Sequence, residues 1–176
     1  MSDEELIRRI KNGDTIAADT IIKRYYDEIY TFICRKIGND IEAQDVAQIV
    51  FIKLINNIDS YKEQGKFKNY LFKMAINASN DYFRKTLNHS SIEEISKLES
   101  TDKTPIEKLE NTEKIELIRS GLNSLPDYQR DVIIMKIYHG LKFDDISKIM
   151  KSNLSSTKSR YQQGIKKLKT IFKERY

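Results

Sequence analysis

A chain of 176 residues with a net charge of +5, 39% hydrophobic and 32% charged side chains, can bury one ordinary core or two small ones, and its composition excludes a disordered chain. No apolar run approaches the ~20 residues a membrane span needs. The acidic start Met1-Ser2-Asp3-Glu4-Glu5 lacks the basic flank and apolar core of a secretion signal, and the lone Cys34 excludes an intramolecular disulfide. These features point to the cytoplasm, and Cys34, following Phe32 and Ile33, is expected to be a buried structural thiol.

Six glycines, two prolines and apolar residues at three- and four-residue spacing predict an all-α chain. A short helix is expected from Glu4 to Lys11, stopping at Asn12-Gly13. Asp14 caps the next, which runs to about Lys36 and ends at Gly38-Asn39-Asp40. A third runs from about Ile41 to Ile58, with Val46, Ile49, Val50, Phe51, Ile52 and Leu54 on its buried side. The polar stretch Asp59 to Lys66 is a loop, and a long helix follows from Phe67 to about Lys85. From Thr86 to Thr112 no apolar stripe is sustained. This stretch is expected to be an acidic linker over residues 87–111, with a helical turn around Ile92 to Leu98. A second domain starts near residue 112 with a helix from Glu113 to Leu122. Pro126 and Asp127 open a further helix that Gly140 stops. A short helix covers Lys142 to Met150, Lys151-Ser152-Asn153 makes a tight turn, and Asn153 caps a last helix to about Lys173.

Charge is distributed unevenly over these parts. Residues 1–86 carry 14 basic and 13 acidic side chains, residues 87–111 carry 3 and 6, and residues 112–176 carry 14 and 7. Ser147 to Tyr176 holds nine Lys/Arg against one Glu. Such an end is either a nucleic-acid surface or a solvated helix face.

Two helices joined by a three-residue turn, the second strongly basic, form a helix-turn-helix pattern. In the last helix Thr157, Tyr161, Gly164 and Leu168 share one face and should pack inward. The opposite face then presents Ser156, Lys158, Ser159, Arg160, Gln162, Gln163, Lys166 and Lys167, a mixture suited to bases and phosphates. The near absence of acids there weighs against a merely solvated helix. In the first domain Asp45 and Gln48 lie three apart and project together from one helix face. Tyr61, Phe67, Tyr70 and Tyr82 surround the loop and the helix after it, and an aromatic ring can stack on an extruded base. Phe67 and Tyr70 read equally well as core. Lys62, Lys66, Lys68, Lys73, Arg84 and Lys85 stand near for phosphates. Nothing suggests catalysis, a metal or a cofactor: His89 and His139 have no partner at ligand spacing, and no Gly-rich phosphate loop is present.

At this point the sequence resembles a family. Leu125-Pro126-Asp127-Tyr128-Gln129-Arg130-Asp131-Val132, Gly140-Leu141-Lys142-Phe143-Asp144-Asp145-Ile146, Thr157-Lys158-Ser159-Arg160 and Lys166-Lys167-Leu168 are similar to region 4 of the sigma-70 family of RNA polymerase sigma factors. Tyr25 to Tyr30, Asp45 to Phe51, Gly65 to Leu71, Ala75-Ile76-Asn77 and Asp81 to Lys85 resemble region 2. Two modules with no domain between them mark the small extracytoplasmic-function (ECF) type.

The resemblance implies a partner, core RNA polymerase, contacted at the clamp of its largest subunit and the flap of its second. Asp45 and Gln48 would dock on the clamp. The Ser60 to Lys66 loop and Asn77 would help hold a flipped base of the −10 promoter element, read with Tyr61, Lys62, Lys66, Lys68, Tyr70, Lys73 and Arg84. Lys158, Ser159, Gln162 and Gln163 would face −35 bases beside Ser156, with Arg160 and Lys166 nearer the backbone. The acidic linker would thread toward the RNA exit path. Many relatives are held inactive by an anti-sigma factor, so one is expected here, with no membrane insertion of the chain itself. The sequence departs from the family pattern at Ile49, where an acid is usual, and at Tyr70, where Trp is frequent. It also carries Lys151 in place of a turn Gly, Thr157 for Val, Gly164 for Ala and Gln163 for a frequent Arg. Two other readings remain open: a helix-turn-helix regulator acting without polymerase, and a helical scaffold with a basic tail.

Overall fold

The computed structural model describes residues 1–62, 66–89 and 107–173, the side chains of 88, 89 and 107–112 apart. The turn expected at Ile92 to Leu98 and the middle of the acidic linker lie outside the described residues. The described residues are helical throughout, with no strand. No helix among them is long and apolar enough to cross a membrane.

The first unit contains α1 (Asp3–Lys11), α2 (Thr15–Ile37), α3 (Asp40–Asn56) and α4 (Phe67–His89). Its punctuation follows the short polar residues. Asp14 accepts from the backbone N–H of Ile16 and Ala17, and Asn39 accepts from Ile41 and Glu42, so both supply partners to otherwise orphan donors. Gly38 closes α2 at φ 79°, a left-handed conformation that costs glycine little. α3 ends at Asn56, two residues earlier than expected, because Ile58–Ser60 tightens into a 3-10 turn. Its buried stripe is Ala43, Val46, Ala47, Val50 and Leu54, with Phe51 alongside. Ile49 and Ile52, expected inside, are 43% and 58% exposed. The 3.6-residue period carries them round to the face of Asp45 and Gln48.

The second unit contains α5 (Glu107–Asn123), α6 (Asp127–Ile133), α7 (Phe143–Ile149) and α8 (Leu154–Lys173). α4 runs four residues past its expected end and α5 starts six residues before its expected beginning, so helix replaces both margins of the expected linker. The helix that opens at Pro126 does not stay regular to Gly140. At Ile134–Tyr138 it widens into a π-helical turn. That turn buries Ile134 and Met135, leaves Ile137 exposed, and delivers His139 to the first unit.

The two units dock through α2 and α4 on one side and α5, α7 and the π turn on the other, with Asp131 and Arg130 of α6 bonded to α2. At the centre Lys36, fully buried, donates to both oxygens of Asp131 at 2.6 and 2.8 Å. Burial pushes the Asp131 carboxyl up, against the opposing pull of the Lys36 ammonium. Arg130 donates to the carbonyls of Lys36, Leu122 and Leu125, stapling α2 to the second unit. His139 packs against the rings of Phe32 and Phe72. Arg35 stacks over Tyr138 with 4.2 Å from guanidinium to ring centroid.

Candidate nucleic-acid interface

α8 is built from its turn upward. Lys151 sits in the left-handed region at φ 49°, the conformation that favours glycine, which costs a Cβ-bearing residue about 1–2 kcal/mol. Asn153 then caps the helix, its Oδ1 accepting from Ser156 N at 2.7 Å. Thr157 is buried but satisfied: its hydroxyl donates to the Asn153 carbonyl and pairs with Ser152 Oγ. Gly164 and Leu168 complete the inner face, with Tyr161 half-buried and edge-on to Phe143. Gly164 is there because α6 comes close. A Cβ on it would lie 2.5 Å from Ile133 Cδ1.

The outer face carries Lys158, Ser159, Gln162, Gln163, Lys166 and Lys167, all exposed, with Ser156 and Arg160 half-exposed. Among the described residues none of these lysines is in an ion pair, so their charge faces outward. Two side chains on that face are held in place. Arg160 lies over Tyr128, 5.3 Å from the ring centroid. Gln163 accepts from the buried Gln129 amide at 3.1 Å and donates to Ser159 Oγ at 3.2 Å. Gln129 was not singled out from the sequence, because its reach to a residue 34 positions away is a product of helix packing.

In the first unit, Tyr70, Lys73, Asn77 and Arg84 fall at spacings of three, four and seven and share one stripe of α4, extended by Lys66 just before the helix. Asn77 and Arg84 are exposed, and Lys73 and Tyr70 half-exposed. Leu71, Phe72, Ala75, Ala78 and Ser79 face the core. Lys62 is exposed at the loop. One aromatic expectation changes, and one that was left open is decided. Tyr61 is buried, packed against Phe67 at 5.5 Å and Tyr70 at 4.8 Å between centroids, rather than presented for stacking. Phe67 is core, its ring also edge-on to Tyr25. Tyr82 is half-buried against Phe83.

The cations of this face are largely claimed from within the chain. Lys66 pairs with Asp145 at 2.9 Å, Lys68 with Glu28 at 2.5 Å, and Arg84 with Asp81. Burial by itself would raise the Glu28 carboxyl. The His139 and Lys68 side chains beside it outweigh burial and hold it below its ordinary value. Asp145 behaves alike: Asn69 and Lys66 overcome burial and keep it low. The docking leaves two buried atoms, Asn69 Oδ1 and His139 Nε2, with no hydrogen-bond partner among the described residues.

A third surface lies on α3. Ile41, Asp45, Gln48 and Ile52 follow spacings of four, three and four and are all exposed, with Ile49 beside them. An apolar stripe broken by one acid and one amide, left uncovered, has the composition of a docking face. Cys34 differs from expectation: it is half-buried, donates to Asp40 at 3.1 Å, and burial together with Asp40 pushes its thiol up to about 11.

Comparison with known proteins bears on the whole length. The sequence model of Sigma-70 region 2 matches residues 21–88, and that of Sigma-70 region 4 matches residues 115–168. The ECF RNA polymerase sigma factor SigW of Bacillus subtilis strain 168 is 28% identical over 174 residues, which cover 93% of each chain. RNA polymerase sigma-H factor of Pseudomonas aeruginosa PAO1 is 25% identical over 168 residues, 90% of this chain and 87% of that one. In fold, the chain resembles CnrH, solved in complex with the cytosolic domain of CnrY, at a TM-score of 0.75 and 16% identity, covering 98% of this chain and 97% of that one. It also resembles the sigma factor RpoE of Bartonella quintana, solved with the anti-sigma factor NepR, at a TM-score of 0.69 and 18% identity over 88% of this chain and 96% of that one.

Proposed function

The chain belongs to the sigma-70 family, in its ECF form, and on that premise we propose that it binds core RNA polymerase in the cytoplasm and directs it to promoters, performing no catalysis itself. Residues 1–86 form the unit for the −10 element and for polymerase, residues 87–111 the connection, and residues 112–176 the unit for the −35 element.

The observation that carries this reading is the pairing of two different surfaces with the two matched regions. In α8, an inner face closed on α6 and α7 leaves an outer face of lysines, serines and glutamines without acids. That face fits a major groove, where glutamine and lysine edges meet bases and phosphates. Ser156, Lys158, Ser159, Gln162 and Gln163 read the −35 bases, while Arg160 and Lys166 hold the backbone. On α4 the stripe Lys66, Tyr70, Lys73, Asn77 and Arg84 follows the −10 strand, with Lys62 and Lys68 at its edge. Asn77 offers both a donor and an acceptor to an extruded base. Tyr61 supports this surface from beneath, holding Tyr70 in position.

The exposed stripe of α3 is the polymerase contact: Asp45 and Gln48 set its polarity while Ile41, Ile49 and Ile52 supply apolar area. The flap of the second subunit takes the second unit. Control by an anti-sigma factor is part of the same reading, supported by the complex in which RpoE of Bartonella quintana was solved.

Co-elution with core polymerase tests the proposal against a regulator that binds DNA alone. The parent chain should co-elute stoichiometrically. Asp45→Arg should weaken the association at least about tenfold, since reversing a charge inside an interface costs several kcal/mol. A chain that binds promoter-sized duplex yet never joins polymerase would favour the regulator.

A further inference from the structure

The contact between the start of α4 and the start of α7 has the form of a small oxyanion site. Lys66 Nζ donates to Asp145 Oδ2 at 2.9 Å, and Asn69 Nδ2 donates to Asp145 Oδ1 at 3.1 Å. Two donors of different type, one charged and one neutral, thus converge on the two oxygens of one anion. A backbone phosphate offers the same arrangement, two anionic oxygens on one centre. The site also lies at the head of the α4 stripe assigned to the −10 strand.

We propose that Lys66 and Asn69 form a phosphate site with two alternative occupants: the Asp145 carboxylate when the two units are docked, and a −10 strand phosphate when they part. The proposal rests on the placement of the −10 strand along α4. Its consequence is that the helix-turn-helix unit masks the −10 surface of the free chain, and promoter binding and undocking become one equilibrium.

Two observations support an exchange over a fixed contact. The Asp145 side chain is 11% exposed in the docked chain, whereas the Lys66 side chain remains 65% exposed and reachable. At the docking contact Asn69 Oδ1 and His139 Nε2 are buried without hydrogen-bond partners among the described residues, a cost that parting of the units would relieve; Gln129 Oε1, inside the second unit, is a third such atom.

The test uses the full chain and a fluorescein-labelled single strand carrying the non-template −10 sequence of a promoter mapped with the assembled polymerase, its scrambled counterpart serving as reference. Asp145→Asn should tighten binding of the −10 strand by about fivefold or more, because removing an internal competitor raises the binding-competent fraction. Asp145→Ala should do the same. Asp144→Asn removes the same charge from the same helix, but Asp144 is exposed and, among the described residues, its carboxylate pairs only with Lys148. Its effect should stay within about twofold, the size of a general charge effect. Adding Lys66→Ala to Asp145→Asn should abolish the gain. Equal gains for the Asp144 and Asp145 variants, or no gain for either Asp145 variant, would overturn the proposal. A separate readout, promoter melting by polymerase loaded with Lys66→Ala, separates the two layers. Impaired melting with no gain from Asp145→Asn removes the exchange and keeps the −10 placement. Unimpaired melting removes the placement, and the exchange with it.

Discussion

α4 and α8 carry comparable numbers of cationic and polar side chains, yet the fold treats them differently. On α8 the lysines project from a helix whose other face is closed by Thr157, Gly164 and Leu168, and none is neutralised by an acid among the described residues. On α4 and its approach, Lys66, Lys68 and Arg84 are each tied to a carboxylate, two of them to acids on other elements, Asp145 and Glu28. A DNA surface made by one helix against its own domain is open as soon as that domain folds. A surface at the junction of two domains has its charge state set by whatever docks there.

The largest expected effect falls on the docking itself. Asp131→Ala leaves the Lys36 ammonium buried without a counter-charge, a defect worth about 3–5 kcal/mol. The chain can relieve it by parting its units. Small-angle X-ray scattering should show a larger radius of gyration, and Lys36→Met with Asp131→Leu should restore compactness, since an apolar pair of similar volume needs no counter-charge. An Asp131→Ala chain as compact as the parent would break the contrast between the two helices.

Next come the two DNA surfaces. Gln163→Ala should shift preference at a single −35 position by about 1–3 kcal/mol, and it should also lower the melting temperature by a few degrees, because the buried Gln129 amide loses its acceptor. Arg160→Ala should weaken all sequences alike and reduce the salt slope by about 1. On α4, Lys73→Ala should reduce the salt slope of −10 strand binding more than Lys68→Ala does, because Lys68 is already neutralised by Glu28. Anisotropy titrations over a range of salt measure all of these, and equal slopes for the two α4 variants would blunt the comparison.

Smaller effects sharpen the packing beneath α8. Gly164→Ala gains about 0.8–1 kcal/mol of helix propensity but meets Ile133 Cδ1 at 2.5 Å. Overpacking of that kind costs about 1–3 kcal/mol, so a net loss of about 1 kcal/mol is expected. Ile133→Val removes the offending methyl and should turn the change at 164 into a gain. Lys151→Gly should stabilise by about 1 kcal/mol, read from thermal melts, by removing the Cβ from a left-handed turn.

The sequence carried the helices well, because their caps and stops are local. Asp14, Gly38, Asn39 and Asn153 act on backbone groups within a few residues of themselves. The inner face of α8 was legible for the same reason: a single period of 3.6 sorts its residues. Ile49 and Ile52 misled because an exposed isoleucine on a docking face looks like a core isoleucine. Tyr61 misled because its burial depends on Phe67 and Tyr70 folding over it. The packing roles of Lys36, Asp131, Asp145 and Gln129 were not legible in the residues themselves. Each acquires its role from a partner between 34 and 95 residues away, and a lone charge or amide on a helix ordinarily means a solvated face. The widening of the helix at Ile134–Tyr138 has no visible cause in its residue types.

Run-off transcription tests the central claim most directly: core polymerase on a genomic template, with and without this chain, followed by mapping of the transcript ends. The account predicts discrete start sites that appear only when the chain is added. Upstream of them should lie two shared sequence elements at fixed spacing, the proximal one sensitive to Asn77→Ala and the distal one to Gln163→Ala. Transcription that stays unspecific, or starts that respond to neither substitution, would contradict it.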